Sequence, residues 1–214
     1  GRVTVPGMGT VGPARSRALQ GEVGGRVTEL SPRLVLGGRL AAGEVVLRIE
    51  PRDYQYQVEQ RKAQVEKALL DLKLEEGRQV VARREWEQLR PGLEAAEIDR
   101  ELGLRLPQLQ TARAALSAAQ AALDKALLDL ERTALAAPFD ALVLEEAVEV
   151  GQIVGTQARI ATLVAVDRFW VRAAIAQDRL GWIDLPGPDG SGGASARVAV
   201  EGDEIGRASC RERV

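Results

Sequence analysis

Histidine is missing from all 214 residues. The chain therefore has no imidazole base, no histidine metal ligand and no imidazole switch near neutral pH. Aromatic residues make up only 3%, which disfavours a large globular core and favours long helices with simple β-modules. No apolar run approaches the ~20 residues that a helix needs to cross a bilayer, and no signal peptide is read at the start. The formal charge is only −2, so nothing marks a general nucleic-acid binder. Cysteine occurs once, as Cys210, and its surroundings are unusual.

Residues 205–214 read Ile-Gly-Arg-Ala-Ser-Cys-Arg-Glu-Arg-Val. Written back as codons they match ATC GGA AGA GCG TCG TGT AGG GAA AGA GTG, a short-read sequencing adapter. We therefore expect translated adapter here and set it outside the fold. Without Arg207, Arg211, Arg213 and Glu212 the formal charge moves from −2 to −4. The remainder has no cysteine, which fits an oxidising compartment. At the other end, Gly1 opens without Met in a strand-like Val3-Thr-Val5, so a missing N-terminal segment is expected.

What the chain does have is period. Leu109, Leu116, Leu123 and Leu130 recur every seven residues, and Ala112, Ala119, Ala126 and Thr133 follow each by three. That is the a/d seam of a helix lying along a partner helix, with alanine layers that let two backbones come close. The partner is upstream, where Val58, Val65, Leu72, Gln79 and Trp86 form a second series of sevens. Pro51 and Asp53 mark its start, and Arg90-Pro91-Gly92 its end. Gly77 is a weak point within it. The spacing predicts helices from about 53 to 89 and from about Pro107 to Thr133, with an apex at about 90–106. The charged residues Arg61, Lys62, Glu66, Lys73, Glu75 and Glu76 on the first helix, and Asp124, Lys125, Asp129 and Glu131 on the second, should face outward, and Trp86 serves either as seam or as a contact anchor.

On both sides of the hairpin the signals are β. Val23, Val27, Leu30, Leu40 and Val45–Ile49 lie between the Gly24-Gly25, Gly37-Gly38 and Gly43 turns. After Pro138 the pattern repeats: Val27 matches Val143, Gly37 matches Gly151, Leu40 matches Val154, Val46 matches Ile160 and Ile49 matches Leu163. The first copy holds two extra residues around Leu34–Leu36. Neither half has strands enough to bury its apolar face alone, so the two should form one sandwich interrupted by the hairpin. A strand from Phe169 to Ile175, a short helix over Gln177–Leu185, a loop and a strand over Ala196–Glu201 begin a third β-module, with Trp170 and Trp182 in its core or rim. Gly7-Met-Gly9-Thr-Val-Gly12 is formally a dinucleotide fingerprint, but no helix follows it. A turn or bulge is the better reading of those glycines.

This order resembles the periplasmic adaptor subunits, or membrane fusion proteins, of tripartite efflux pumps, the HlyD-like family. The resemblance rests on Gly25–Pro32, on Gly38–Tyr54, and above all on Leu130-Glu-Arg-Thr-Ala-Leu-Ala-Ala-Pro-Phe-Asp140 with Val150-Gly151. It covers roughly residues 9–204. It implies a mixed α and β, elongated fold: a lipoyl-like β-sandwich split by an antiparallel coiled-coil hairpin, plus a partial β-barrel. The implied domains are 1–15 (barrel start), 16–52 (first lipoyl-like half), 53–133 (hairpin), 134–166 (second half) and 167–204 (barrel continuation). Two departures stand out. Ala141 replaces the family's glycine after Phe-Asp, and Gln157 replaces the turn glycine that Gly43 supplies in the first half.

The resemblance implies no enzyme, no cofactor and no metal, and no nucleic-acid partner. It implies an inner-membrane transporter of the RND type, an outer-membrane channel of the TolC type and self-association into a ring of three or six. The site would be periplasmic, anchored to the inner membrane through the missing segment. The seam (Val58, Val65, Leu72, Leu109, Leu116, Leu123, Leu130) would give reach, and Arg83, Arg84, Leu89 and Arg90 near the apex would meet the channel. No serine lies between Arg83 and Arg105, so the Arg, Leu and Ser pattern of many resistance-pump adaptors does not carry over. A plain coiled-coil scaffold remains an alternative. A lipoyl or biotinyl carrier needs a lysine at a β-turn, whereas Lys62, Lys67, Lys73 and Lys125 all fall on predicted helices. Hydrolysis by Glu145, Glu146 and Glu149 would need a pocket, and an acidic hairpin is more often a solvated surface.

Overall fold

The computed structural model describes residues 4–89, 97–184, 193–200 and 203–209. The chain divides into two compact units, Arg15–Val166 and Gly1–Ala14 with Asp167–Val214. In order the elements are β1 (Met8–Pro13), β2 (Ser16–Gln20), β3 (Gly25–Leu30), β4 (Arg39–Leu40) and β5 (Val45–Ile49). Helices α1 (Arg52–Leu89), α2 (Glu97–Gly103) and α3 (Leu106–Glu131) follow. Then come β6 (Ala134–Ala136), β7 (Ala141–Glu146), β8 (Ile153–Val154), β9 (Arg159–Ala165) and β10 (Phe169–Ala174). A 3-10 turn (Gln177–Trp182), β11 (Ser195–Val200) and β12 (Asp203–Ser209) complete the series.

In the larger unit two four-stranded sheets, ordered β2-β9-β7-β4 and β6-β5-β3-β8, enclose the core. Each sheet holds two strands from each half: β2 and β4 of the first half pair with β9 and β7, and β6 and β8 of the second pair with β5 and β3. The pairing is symmetric to the level of single hydrogen bonds. Gly37 N–H donates to Val143 O (2.8 Å) and Val143 N–H to Gly38 O (2.9 Å); Gly151 N–H donates to Val27 O (2.8 Å) and Val27 N–H to Gln152 O (2.8 Å). The extra pair of residues in the first half lies between Ser31 and Gly37, where Leu34 turns into the core with 1% exposure. Val27, Leu40, Val46 and Ile49 are all buried, as are their counterparts Val143, Val154, Ile160 and Leu163. The two halves therefore share one core.

The two departures are absorbed locally. Gln157 takes the left-handed conformation (φ 66°) that Gly43 takes at the matching turn (φ 78°). Both turns make the same bond, Gly43 N–H to Ala137 O (2.8 Å) and Gln157 N–H to Gly21 O (2.7 Å). Ala141 is buried at 1% exposure, between Leu40 and Ala165 in the sheet.

Helix α1 has 38 residues, about 57 Å at 1.5 Å per residue. It runs unbroken through Gly77, because one glycine costs only about 1 kcal/mol in a helix this long. The distal helical stretch, α2, lies within the expected apex of about 90–106.

In the smaller unit β1 pairs antiparallel with β10. Gly9 is thus in a strand and not in a turn or bulge. A Cβ there would lie 2.8 Å from the Arg172 carbonyl oxygen, so close approach of the neighbouring strand explains the glycine better than turn geometry does. Trp170 and Trp182 are 42% and 66% exposed, with the Trp170 indole N–H donating to Ala14 O (3.3 Å). Strand β12 pairs with β11 and takes in residues 205–209, which the sequence reading places outside the fold; Cys210 lies outside the described residues. So does most of the loop expected before β11.

Candidate partner-binding hairpin

The hairpin leaves the sandwich where β5 and β6 run side by side: Ile49 N–H donates to Thr133 O (2.8 Å). Three residues, Tyr54, Arg132 and Thr133, make polar contacts at its base. The Tyr54 hydroxyl donates to Gly24 O (2.6 Å). Thr133 Oγ1 donates to Leu130 O (2.7 Å) and caps the end of α3. Arg132 bridges Glu22 of the sandwich (2.7 Å) and Asp129 of α3 (3.8 Å). Lys125 is exposed and reaches Asp129 at 2.6 Å. Asp129, expected to face outward, has only 19% of its side chain exposed. Two cations draw it against the helix base, a pull that heptad position does not encode.

Above the base, α1 and α3 pack along their length. Val58 and Leu109 are buried, and Val65, Leu72, Leu116, Leu123 and Leu130 are half-buried. The alternate layers Ala68, Ala82, Ala112 and Ala119 are half-buried and Ala126 is buried. A two-helix rod cannot enclose its seam further, since each layer has helix on one side and water on the others.

Glu75, expected on the charged outer face of α1, is instead buried. Its position, three after Leu72, makes it a core layer, and its side chain is only 8% exposed. It meets Arg105 through two bonds, Nε to Oε1 at 2.6 Å and Nη2 to Oε2 at 2.9 Å, with Arg78 on Oε2 at 3.5 Å. The hydrogen bonds from Arg105 hold the Glu75 carboxyl below its usual range against the opposing effect of desolvation, and the charges of Arg105 and Arg78 add to this. The same hydrogen bonds raise Arg105. A carboxylate at a heptad core position was the signal available in the sequence.

Arg105 stands between α2 and α3 in the left-handed region, φ 57° and ψ 28°. Its N–H donates to Leu102 O (3.0 Å), and its carbonyl accepts from Leu109 N–H (3.1 Å). Pro107 in the first turn of α3 prevents one continuous helix. Trp86 is half-buried and faces Gly103, where a Cβ would lie 2.7 Å from the ring. It packs inward here. Toward the apex, Arg83 and Arg84 are exposed, and Arg83 stands 3.8 Å from Glu87. Leu89 closes α1, and Arg90 lies outside the described residues.

On the outer side of α1, Leu70, Leu74, Val80 and Val81 are at least half exposed. A shallow groove of about 490 Å³ runs past Leu74, Gly77 and Val81 to Arg105. All four lysines lie on helices, Lys62, Lys67 and Lys73 on α1 and Lys125 on α3, so no β-turn offers an amine for a prosthetic group. Glu145 pairs with Arg159 and Thr162 on an open sheet face. Among the described residues no cluster of acidic, Cys or His side chains could hold a metal, and no helix is long and apolar enough to cross a membrane.

No family model matches the chain. Solved structures do resemble it. A protein from Bacteroides eggerthii assigned to efflux transport matches with a TM-score of 0.59 at 24% identity, over 81% of this chain and 46% of its own. A MacA–MexA chimera carrying the Pseudomonas aeruginosa MexA α-hairpin domain matches with a TM-score of 0.58 at 17% identity, over 86% and 61%. A membrane fusion protein from Streptococcus pneumoniae R6 gives 0.56 at 18%, over 86% and 73%. The chain thus spans about half to three fifths of the first two proteins. A sandwich whose interlocked halves are parted by a helical hairpin, followed by further β-strands, is the membrane fusion protein fold, and this chain has it.

Proposed function

We infer that this chain is a non-enzymatic adaptor of a tripartite export complex in the periplasm. The β-modules would ring an inner-membrane transporter of the RND type. The hairpin would reach an outer-membrane channel of the TolC type, in a ring of three or six copies. The observation that supports this best is the hairpin itself. It is anchored at one end in the sandwich by Tyr54, Arg132 and the Thr133 carbonyl, and it carries exposed Arg83 and Arg84 about 45 Å away along α1. Such a part provides reach and no chemistry. The missing β-turn lysine speaks against a carrier domain.

The test is photocrosslinking in the cell envelope with the full-length protein. A photoreactive residue in place of Arg84 should capture an outer-membrane channel protein, and one in place of Glu29, exposed on the sandwich, should not. Capture of soluble proteins alone from position 84 would overturn the reading. Sedimentation of the purified full-length protein should show trimers or hexamers.

A further inference from the structure

The sandwich fixes the two arms of the hairpin at their base, but the seam farther out repeats itself. Leu109 and Ala112, Leu116 and Ala119, Leu123 and Ala126 are equivalent layers. Sliding α3 by one heptad replaces leucine with leucine and alanine with alanine. Apolar packing alone therefore distinguishes poorly between neighbouring registers at the far end. One layer is different. Glu75 is buried in the seam and receives both hydrogen bonds of a single guanidinium, that of Arg105. A slip of seven residues would set its carboxylate against Ala112 with no such partner, and a buried carboxylate without its cation is strongly disfavoured. Single buried polar pairs are known to select register in this way.

Arg105 is also the pivot of the descending arm. It occupies a left-handed conformation that an L-residue other than glycine adopts at a cost, at the junction that Pro107 keeps from becoming helical. Beyond it, α2 lies back on α1 at Trp86 and Gly103. We propose that the Glu75–Arg105 pair is a latch that fixes the distal register of the hairpin and pins the α2–α3 pivot onto α1. The pair sets how far α1 projects past the start of α3, fourteen residues from Glu75 to Leu89, or about 21 Å. This inference concerns the hairpin alone and does not rest on the identity of any partner at its apex.

The test uses the full chain with Cys210→Ser and spin labels at Gln64 on α1 and Glu101 on α2, both exposed. Two variants separate the ion pair from the turn. Glu75→Gln keeps the shape and removes the charge, whereas Arg105→Gly favours the left-handed turn and removes the guanidinium. Both should broaden a narrow distance distribution and speed hydrogen exchange at positions 105 and 109 at least tenfold. Exchange at Val27 and Val143 in the sandwich should not change. Arg78→Gln, which removes only the outer and longer contact, should behave as the parent. A native distribution in either Glu75→Gln or Arg105→Gly overturns the proposal. Acceleration that extends into the sandwich overturns it too, because the pair would then support global stability.

Discussion

At the scale of single residues, the two halves of the sandwich solve one turn with different side chains. Gly43 adopts φ 78° freely, while Gln157 adopts φ 66° against the clash of its Cβ with the backbone. The bond from Gln157 N–H to Gly21 O holds it there, and open surroundings leave its side chain in water. Gln157→Gly removes the clash but adds chain entropy to the unfolded state, which offsets part of the gain. We expect a net stabilisation of about 0.5–1 kcal/mol, read as a raised denaturant midpoint at constant slope. Gly43→Gln should lower the midpoint by a similar amount. Glu75 and Arg105 belong to the same scale, since their positions in the chain do not advertise their contact across the hairpin.

Elements bring a different balance. The hairpin is held by half-buried leucine layers and by the sandwich at one end, so its stability is local. Truncating a packed leucine costs about 2–5 kcal/mol, and the half-exposed state of Leu123 places Leu123→Ala at the lower end of that range. The loss should fall on the two arms: hydrogen exchange should accelerate across 58–72 and 116–130 while the sandwich strands keep their protection. Lys125→Ala removes an exposed partner of Asp129, which retains Arg132. A surface pair of this kind contributes about 0–1 kcal/mol, and exchange should change little. Equal effects from the two substitutions would mean that the arms pack around Leu127 and Leu128, both 44% exposed here.

For the molecule as a whole, the sandwich should survive without the hairpin. Its strands pair across the insertion, β4 with β7 and β3 with β8, and β5 and β6 lie side by side where the helices leave. Deleting residues 55–133 and joining Tyr54 to Ala134 through a short Gly-Ser linker should leave a soluble domain with a β-type circular dichroism spectrum and a cooperative melt. An unfolded or strongly helical product would mean that the hairpin is part of the sandwich's folding unit.

Much of this architecture follows from local pattern. Heptads place a helix's apolar stripe: in the Leu109–Leu130 series Leu109 is buried and Leu116, Leu123 and Leu130 are half-buried, while Leu127 and Leu128 are 44% exposed. The internal repeat paired Val27 with Val143 and Val46 with Ile160, and even the two extra residues near Leu34 fall where the alignment needs them. Matching sequences have matching apolar faces, and two incomplete faces can be buried only together. Tertiary structure decided what depends on separation in the chain. The pairing of β4 with β7 and of β8 with β3 is invisible to local pattern because either half could have kept its own short strand. Gly9 reads as a turn residue until Arg172 is seen against it. Asp129 turns inward because Arg132 and Lys125 draw it there. The burial of Glu75 depends on Arg105, thirty residues away: a carboxylate in a seam is tolerable only once the folded chain brings a guanidinium to it, and periodicity describes where a side chain points, not what it will meet.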